Sequence, residues 1–326
     1  MFLLKDALKM PLSSALTETH LDEYTVRVVF NTSSPTGLFH LRLAFESGRF
    51  HQKHHAVQAG QFLMLDVQDE NGFRFRRPYS LMSWNQDTQE GDIIYKVVGE
   101  GSKALSRWQV GQKSVALSSL GNAFPSVAGQ NPRHTILLAG GVGLAPLILW
   151  AEEGRQKGWQ DDDMPTLVFG VRSQAEAQSL LPHLARLIPL DKLLLCSDDG
   201  SLGFHGHVVA CLEDQAPEEL AHFEHAFVCG PTPMMNACVK TAPQLLPNAN
   251  VYVSLENHMP CGTGACFGCV VGQAHGGLPL KVCEAGPVFE ASQLLWGEKG
   301  LDTVGFAGAC DAFPRFETTS STEGGV

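Results

Sequence analysis

"TILLAGGVGLAPLILWA", residues 135–151, decides the fold. It opens on an apolar run, passes through Gly140, Gly141 and Gly143, and continues with helical character from Leu144. The glycines and Pro146 interrupt what would otherwise be long enough to approach a membrane span. A buried strand, a tight turn and a helix fit the pattern better.

The segments that follow repeat this alternation. "PTLVFGVRS" is a second strand and "AEAQSLLPHLARL" a second helix. "KLLLCSDDG" is a third strand, and "HAFVCGP" with "TPMMNACVK" gives another strand and helix. Strands alternating with helices imply a doubly wound parallel sheet, an α/β module expected over residues 129–248. Upstream the texture differs. "YTVRVVF", "LFHLRLAF", "GQFLMLDV", "YSLMSW" and "DIIYKVV" are short, β-rich and separated by turn residues. They predict an antiparallel β-barrel or sandwich within residues 1–128. Downstream, residues 249–326 form a third, small module, rich in glycine and cysteine and ending in the polar tail "ETTSSTEGGV", which is expected to be disordered.

With 326 residues the chain suits two or three domains. A net charge of −11 argues against a nucleic-acid partner, because a phosphate backbone requires a basic surface. The start "MFLLKDALKMPLSS" is broken by Lys5, Asp6 and Lys9 and does not read as a secretory leader. A reducing, cytoplasmic setting without a membrane span is the expectation. There, close cysteines hold metal more often than they form disulfides.

Four of the nine cysteines follow the spacing Cys261-x4-Cys266-x2-Cys269-x13-Cys283. This is the arrangement of plant-type 2Fe-2S centres. Two irons and two sulfides need four thiolates converging on a small volume, with backbone amides turned toward the sulfurs. Gly262, Gly264 and Gly268 permit that approach and unusual φ values. A structural zinc site is the alternative, although zinc usually takes two C-x2-C pairs. The remaining cysteines, Cys196, Cys211, Cys229, Cys238 and Cys310, read mostly as small buried hydrophobes.

Three further stretches suit cofactors. Backbone amides at Gly140, Gly141 and Gly143 can meet a pyrophosphate at a helix N-terminus, although Pro146 replaces the last glycine of G-x-G-x-x-G. "CGPTPMM", residues 229–235, ends a later strand of the same sheet, where Gly230 would let a nicotinamide approach the backbone; a plain strand-to-helix turn with Pro231 near the start of the helix is the alternative. In "RRPYS", Arg77 can take phosphate, Tyr79 can stack on an isoalloxazine and Ser80 can donate toward its N5, with Pro78 between them. "GEGSKALS", residues 99–106, adds glycine amides and hydroxyls.

In this order, these stretches resemble the ferredoxin–NADP reductase superfamily with a C-terminal iron–sulfur domain. Within it, they resemble the electron-transfer subunits of dihydroorotate dehydrogenase. "SLENHMPCGTGACFGCVVG", "KVCEAGPVFEASQL" and "SDDGSLGFHGHV" carry the likeness most specifically. The resemblance implies FAD on Arg77, Pro78, Tyr79 and Ser80, with Gly101 and Ser102 near its phosphates. It implies NAD at Gly140, Gly141, Gly143, Cys229, Gly230 and Pro231, and a 2Fe-2S cluster on Cys261, Cys266, Cys269 and Cys283. Ala139 and "SSLGNAF" (118–124) depart from the family's usual glycines.

Asp198 and Asp199 after the third strand favour NAD, whereas Arg172 and Ser173 pull toward NADP. His51, His54 and His55 read as a polar loop rather than a metal site. No side chain is assigned as catalytic acid or base, since hydride transfer depends on geometry and exclusion of water. The implied order is NADH, FAD, cluster and then a partner: the catalytic dihydroorotate dehydrogenase subunit, or another redox protein such as an oxygenase, hydrogenase or sulfur-reducing enzyme.

Overall fold

The computed structural model describes residues 22–48, 57–126, 131–297 and 300–301. His51, His54, His55, Cys310 and the polar tail lie outside the described residues.

The N-terminal half is an antiparallel sheet. β1 (Asp22–Ser33) and β2 (Leu38–Gly48) form its longest pair. β3 (Phe62–Gln68), β4 (Arg74–Ser80), β5 (Ser83–Asn85) and β6 (Glu90–Lys96) follow, then helix α1 (Glu100–Leu105) and β7 (Lys113–Leu120). The strand order is β4-β3-β7-β1-β2-β6-β5. Alternation explains which face is core: Tyr24, Val26 and Val28 are buried, while Thr25 and Arg27 between them are not. Leu41, Leu43, Leu63 and Leu65 complete the apolar interior.

β8 (Thr135–Gly140) runs through a glycine turn into α2 (Leu144–Gln156). β9 (Thr166–Val171) leads to α3 (Gln174–Ala177) and α4 (Leu181–Leu187). The helix expected over 175–187 is thus two pieces, with Pro182 in the first turn of the second. β10 (Leu193–Ser197), β11 (Phe204–His205), α5 (Val208–Glu213), α6 (Pro217–Leu220), β12 (His225–Cys229), α7 (Thr232–Leu245) and β13 (Asn250–Ser254) complete the alternation. The cysteine segment adds a small hairpin, β14 (Val270–Val271) with β15 (Leu280–Lys281), then α8 (Val282–Ala285) and β16 (Val288–Glu290).

The second sheet has the order β11-β10-β9-β8-β12-β13-β16. It is parallel except for β16, which runs antiparallel to β13. β13 and β16 come from the expected third module, so that module is rooted in the nucleotide sheet rather than separate from it. Successive strands leave β8 in one direction and then, from β12, in the other. The junction between β8 and β12 is therefore the switch point where such sheets take ligands. α2 is buried almost all round, including Leu147, Ile148, Trp150 and Ala151, because it packs between this sheet and the barrel. Among the described residues no helix is long and apolar enough to cross a membrane.

Candidate functional site

Arg77, Pro78, Tyr79 and Ser80 lie on β4, held in register by β3. With Gly101 and Ser102 they line one cavity of about 360 Å³. Gly101 is a close-approach glycine: a Cβ there would sit 3.0 Å from Arg77 Nε. The Arg77 guanidinium lies over the Phe75 ring, 5.2 Å from its centroid, and donates to the Arg76 carbonyl at 2.9 Å. Burial pushes Tyr79 up to about 12, against the opposing charge of Arg77, so its phenol stays a hydrogen-bond donor at neutral pH. Ser102 is used locally. Its hydroxyl accepts from the Val98 and Gly99 amides at 2.9 and 3.1 Å and fixes the first turn of α1. Two charged donors, Arg77 and Lys96, with one phenol and glycine-rich backbone, suit a phosphate-bearing ring cofactor.

The far wall comes from a segment outside the stretches that suggested a flavin site in the sequence. Leu255, Glu256, Asn257 and Met259, just before Cys261, line it together with Pro287. Signals were present in principle: these residues follow a strand of the nucleotide sheet and precede the first cysteine.

A second cavity, of about 350 Å³, lies at the strand ends of the parallel sheet. Gly140, Gly141 and Pro231 line it, as do Arg172, Glu176, Asp198 and Met234. Gly143, Cys229 and Gly230 do not line it. A Cβ on Gly143 would overlap the Cys229 carbonyl, and one on Gly230 would come 3.1 Å from Gly140 Cα. These glycines let the turns after β8 and β12 pack backbone to backbone. Cys229 is fully enclosed, and burial pushes its thiol up. Asp199 is likewise occupied elsewhere, accepting from the Ser201 amide and hydroxyl at 2.9 and 2.6 Å. Lys96, from β6 of the barrel, lines both cavities and pairs with Glu176.

The four predicted cysteines converge on the loop before β14 and on α8. Each sulfur accepts a backbone N–H: Thr263 to Cys261 at 3.4 Å, Gly268 to Cys266 at 3.4 Å, Cys283 to Cys269 at 3.4 Å and Gly264 to Cys283 at 3.1 Å. For Cys261, burial is outweighed by amides of Thr263 and Cys266, and its thiol falls to about 6. Backbone amides turned toward all four sulfurs fit an iron–sulfur cluster. Gly262 and Gly264 have φ of +72° and +77°. Gly268 serves close approach to Pro260, whereas Phe267 takes the left-handed conformation beside it, at φ 55°. A Cβ on Gly262 would overlap Met64, so this loop rests directly on the barrel. Among the described residues, no three His, Cys, Asp or Glu side chains gather around a single-ion site.

A barrel cavity, a nucleotide cavity at the switch point and a four-thiolate loop define a modular reductase architecture. Comparison with known proteins agrees. Residues 256–295 match the family model of the iron-sulfur cluster binding domain of dihydroorotate dehydrogenase B. The dihydroorotate dehydrogenase B (NAD(+)) electron transfer subunit of Geobacillus sp. (strain WCH70) is 32% identical over 237 residues, covering 72% of this chain and 86% of that one. The same subunit of Bacillus pumilus (strain SAFR-032) matches with the same identity and coverage. The structure of an NADH-dependent reduced ferredoxin-NADP oxidoreductase superposes with a TM-score of 0.63 at 24% identity, over 87% of this chain and 93% of the other, which shows the shared fold. The chain belongs to the family of dihydroorotate dehydrogenase B electron transfer subunits.

Proposed function

We infer that this chain is the electron-transfer subunit that draws electrons from NADH and delivers them, through FAD and a 2Fe-2S cluster, to a catalytic dihydroorotate dehydrogenase subunit in pyrimidine biosynthesis. One observation carries the reading. The barrel cavity shares Lys96 with the nucleotide cavity on one side, and on the other is walled by Leu255–Met259, which run straight into Cys261. The three sites are therefore contiguous in the order that electrons need. A flavin held there would supply the link between a two-electron hydride donor and a one-electron cluster.

The residues divide as follows. Arg77, Pro78, Tyr79 and Ser80 hold the flavin, with Gly101 and Ser102 shaping its phosphate end. Gly140, Gly141 and Pro231 border the nicotinamide nucleotide, while Gly143, Cys229 and Gly230 fix the turns behind it. Cys261, Cys266, Cys269 and Cys283 ligate the cluster. The cytoplasm, which keeps thiols reduced, is the compartment that suits this ligand set.

The test uses the purified full chain. It should show flavin and iron–sulfur absorption, reduce artificial dyes with NADH and form no orotate from dihydroorotate. Adding the catalytic subunit should produce NAD-linked dihydroorotate turnover. Orotate formation by this chain alone, or coupling only to an oxygenase or hydrogenase, would overturn the reading.

A further inference from the structure

The nucleotide cavity contains an ion-pair arrangement that the reading above leaves unused. Glu176, on α3, is buried. One carboxylate oxygen pairs with Lys96 from the barrel. The other accepts from the backbone N and from Nε of Arg172, each at 3.3 Å. A Cβ on Gly141 would lie 3.8 Å from Glu176 and 4.0 Å from Lys96, so the pair borders the glycine turn itself. Arg172 follows the end of β9 and Asp198 the end of β10. Both face the cavity, where the sheet geometry sets the adenosine ribose of a dinucleotide.

We propose that Glu176 is a specificity-determining residue that makes this cavity take NADH and refuse NADPH. The proposal rests on the nucleotide reading above and adds its cause.

The charge count supports it. The cavity wall carries two cations, Lys96 and Arg172, and two carboxylates, Glu176 and Asp198. Glu176 pairs with Lys96 and accepts from the backbone N and Nε of Arg172, so its charge sits between the two cations while the end of the Arg172 guanidinium stays exposed. A 2′-phosphate brings about −1.5 to −2 further charge and needs an arginine or lysine not already matched. Here it meets a balanced wall with two carboxylates facing it, and like-charge approach is a repulsive element of the kind that sets specificity. Burial works against charge on Glu176, but Lys96 and Arg172 prevail and keep it below the ordinary carboxylate range. Arg172, read alone in the sequence, pointed toward NADP; in the structure a buried carboxylate stands beside it and offsets its charge.

Binding of ADP and of 2′,5′-ADP to the cofactor-loaded full chain, measured by calorimetry, tests this without relying on turnover. Glu176→Gln keeps the side-chain shape and removes the charge. It should tighten 2′,5′-ADP binding at least tenfold while leaving ADP within about threefold, and the gain should shrink as salt is raised. Glu176→Asp keeps the charge and should still refuse 2′,5′-ADP. If Glu176→Gln leaves the ratio of the two affinities unchanged, or Glu176→Asp gains 2′,5′-ADP equally, this proposal fails while the nucleotide site stands. If the native chain binds neither ligand, the nucleotide reading itself fails, and the proposal with it.

Discussion

Cys266 and Arg77 test the two cofactor sites one side chain at a time. Cys266→Ala removes one of four thiolates, and a methyl group cannot ligate iron. The electron paramagnetic resonance signal of the reduced cluster should disappear. Flavin should stay bound, because the wall residues Leu255 and Met259 are untouched and Leu255 is anchored to the Pro287 carbonyl at 2.9 Å. Arg77→Ala should have the opposite signature: an intact cluster signal with FAD lost on dialysis. A charge-assisted phosphate contact is worth roughly 1.5–3 kcal/mol. Titration should therefore show FAD affinity about tenfold to a hundredfold lower. These residues were legible in the sequence because their pattern is local: a cysteine spacing and a four-residue run of arginine, proline, tyrosine and serine. Lys96 and Glu176 were not. They lie 80 residues apart and acquire meaning only when the barrel meets α3. Gly143 and Gly230 were legible as special positions, and in the structure they also let the turns after β8 and β12 touch. Two turns that touch look, in one dimension, like two turns that each touch a ligand.

Elements were readable wherever period and punctuation agreed. The strands β8, β9, β10 and β12 came from apolar runs punctuated by glycine or proline. β7, which sits between β3 and β1, was overlooked because "KSVALSSL" has four polar residues and weak alternation. Its place is set by two flanking strands rather than by its own pattern. "YSLMSW" proved to be the end of β4 and the start of β5, two strands that lie at opposite ends of the sheet order. The packing of α2 on the barrel leads to a pH prediction. Glu152 of α2 borders a polar cavity of about 480 Å³ with His40, Arg42 and Asp92 of the barrel and His183 and Arg186 of α4. Burial, and then the Asp92 charge, push Glu152 from an ordinary 4.5 up to about 7. The fold thus prefers the protonated acid. Glu152 costs nothing while it is neutral in both states, and stability falls as pH rises from the ordinary value through about 7. Glu152→Gln should therefore be more stable than the native chain at pH 8, by roughly 1–2 kcal/mol once partial exposure is allowed for. The advantage should vanish as pH approaches 4. Thermal unfolding of both proteins across that range measures it.

At the scale of the whole molecule, the iron–sulfur segment is held by both larger modules. β13 and β16 place it in the nucleotide sheet. On the barrel side, Asn122 forms the link: its Nδ2 donates to the Ala285 and Val288 carbonyls at 3.1 and 2.7 Å, and its Oδ1 accepts from the Val288 amide at 2.9 Å. Its own amide donates to the Gly286 carbonyl at 2.7 Å. Asn122→Ala should lower stability by about 1.5–3 kcal/mol, from the loss of three part-exposed hydrogen bonds. It should also speed flavin release, because Pro287 belongs to the cavity wall. Unfolding midpoints and flavin fluorescence after dilution check the two effects separately. An unchanged flavin off-rate would show that the wall stands without this link. The same architecture imposes an order on manufacture. A ribosome makes the chain from the N-terminus, so Arg77 and Tyr79 emerge long before Leu255, Met259 and Pro287. The flavin chamber cannot close until almost the whole chain is out. A prematurely terminated product would lack both the cluster ligands and the chamber's far wall, so it would not persist as a flavin-loaded fragment able to pass electrons from NADH to oxygen.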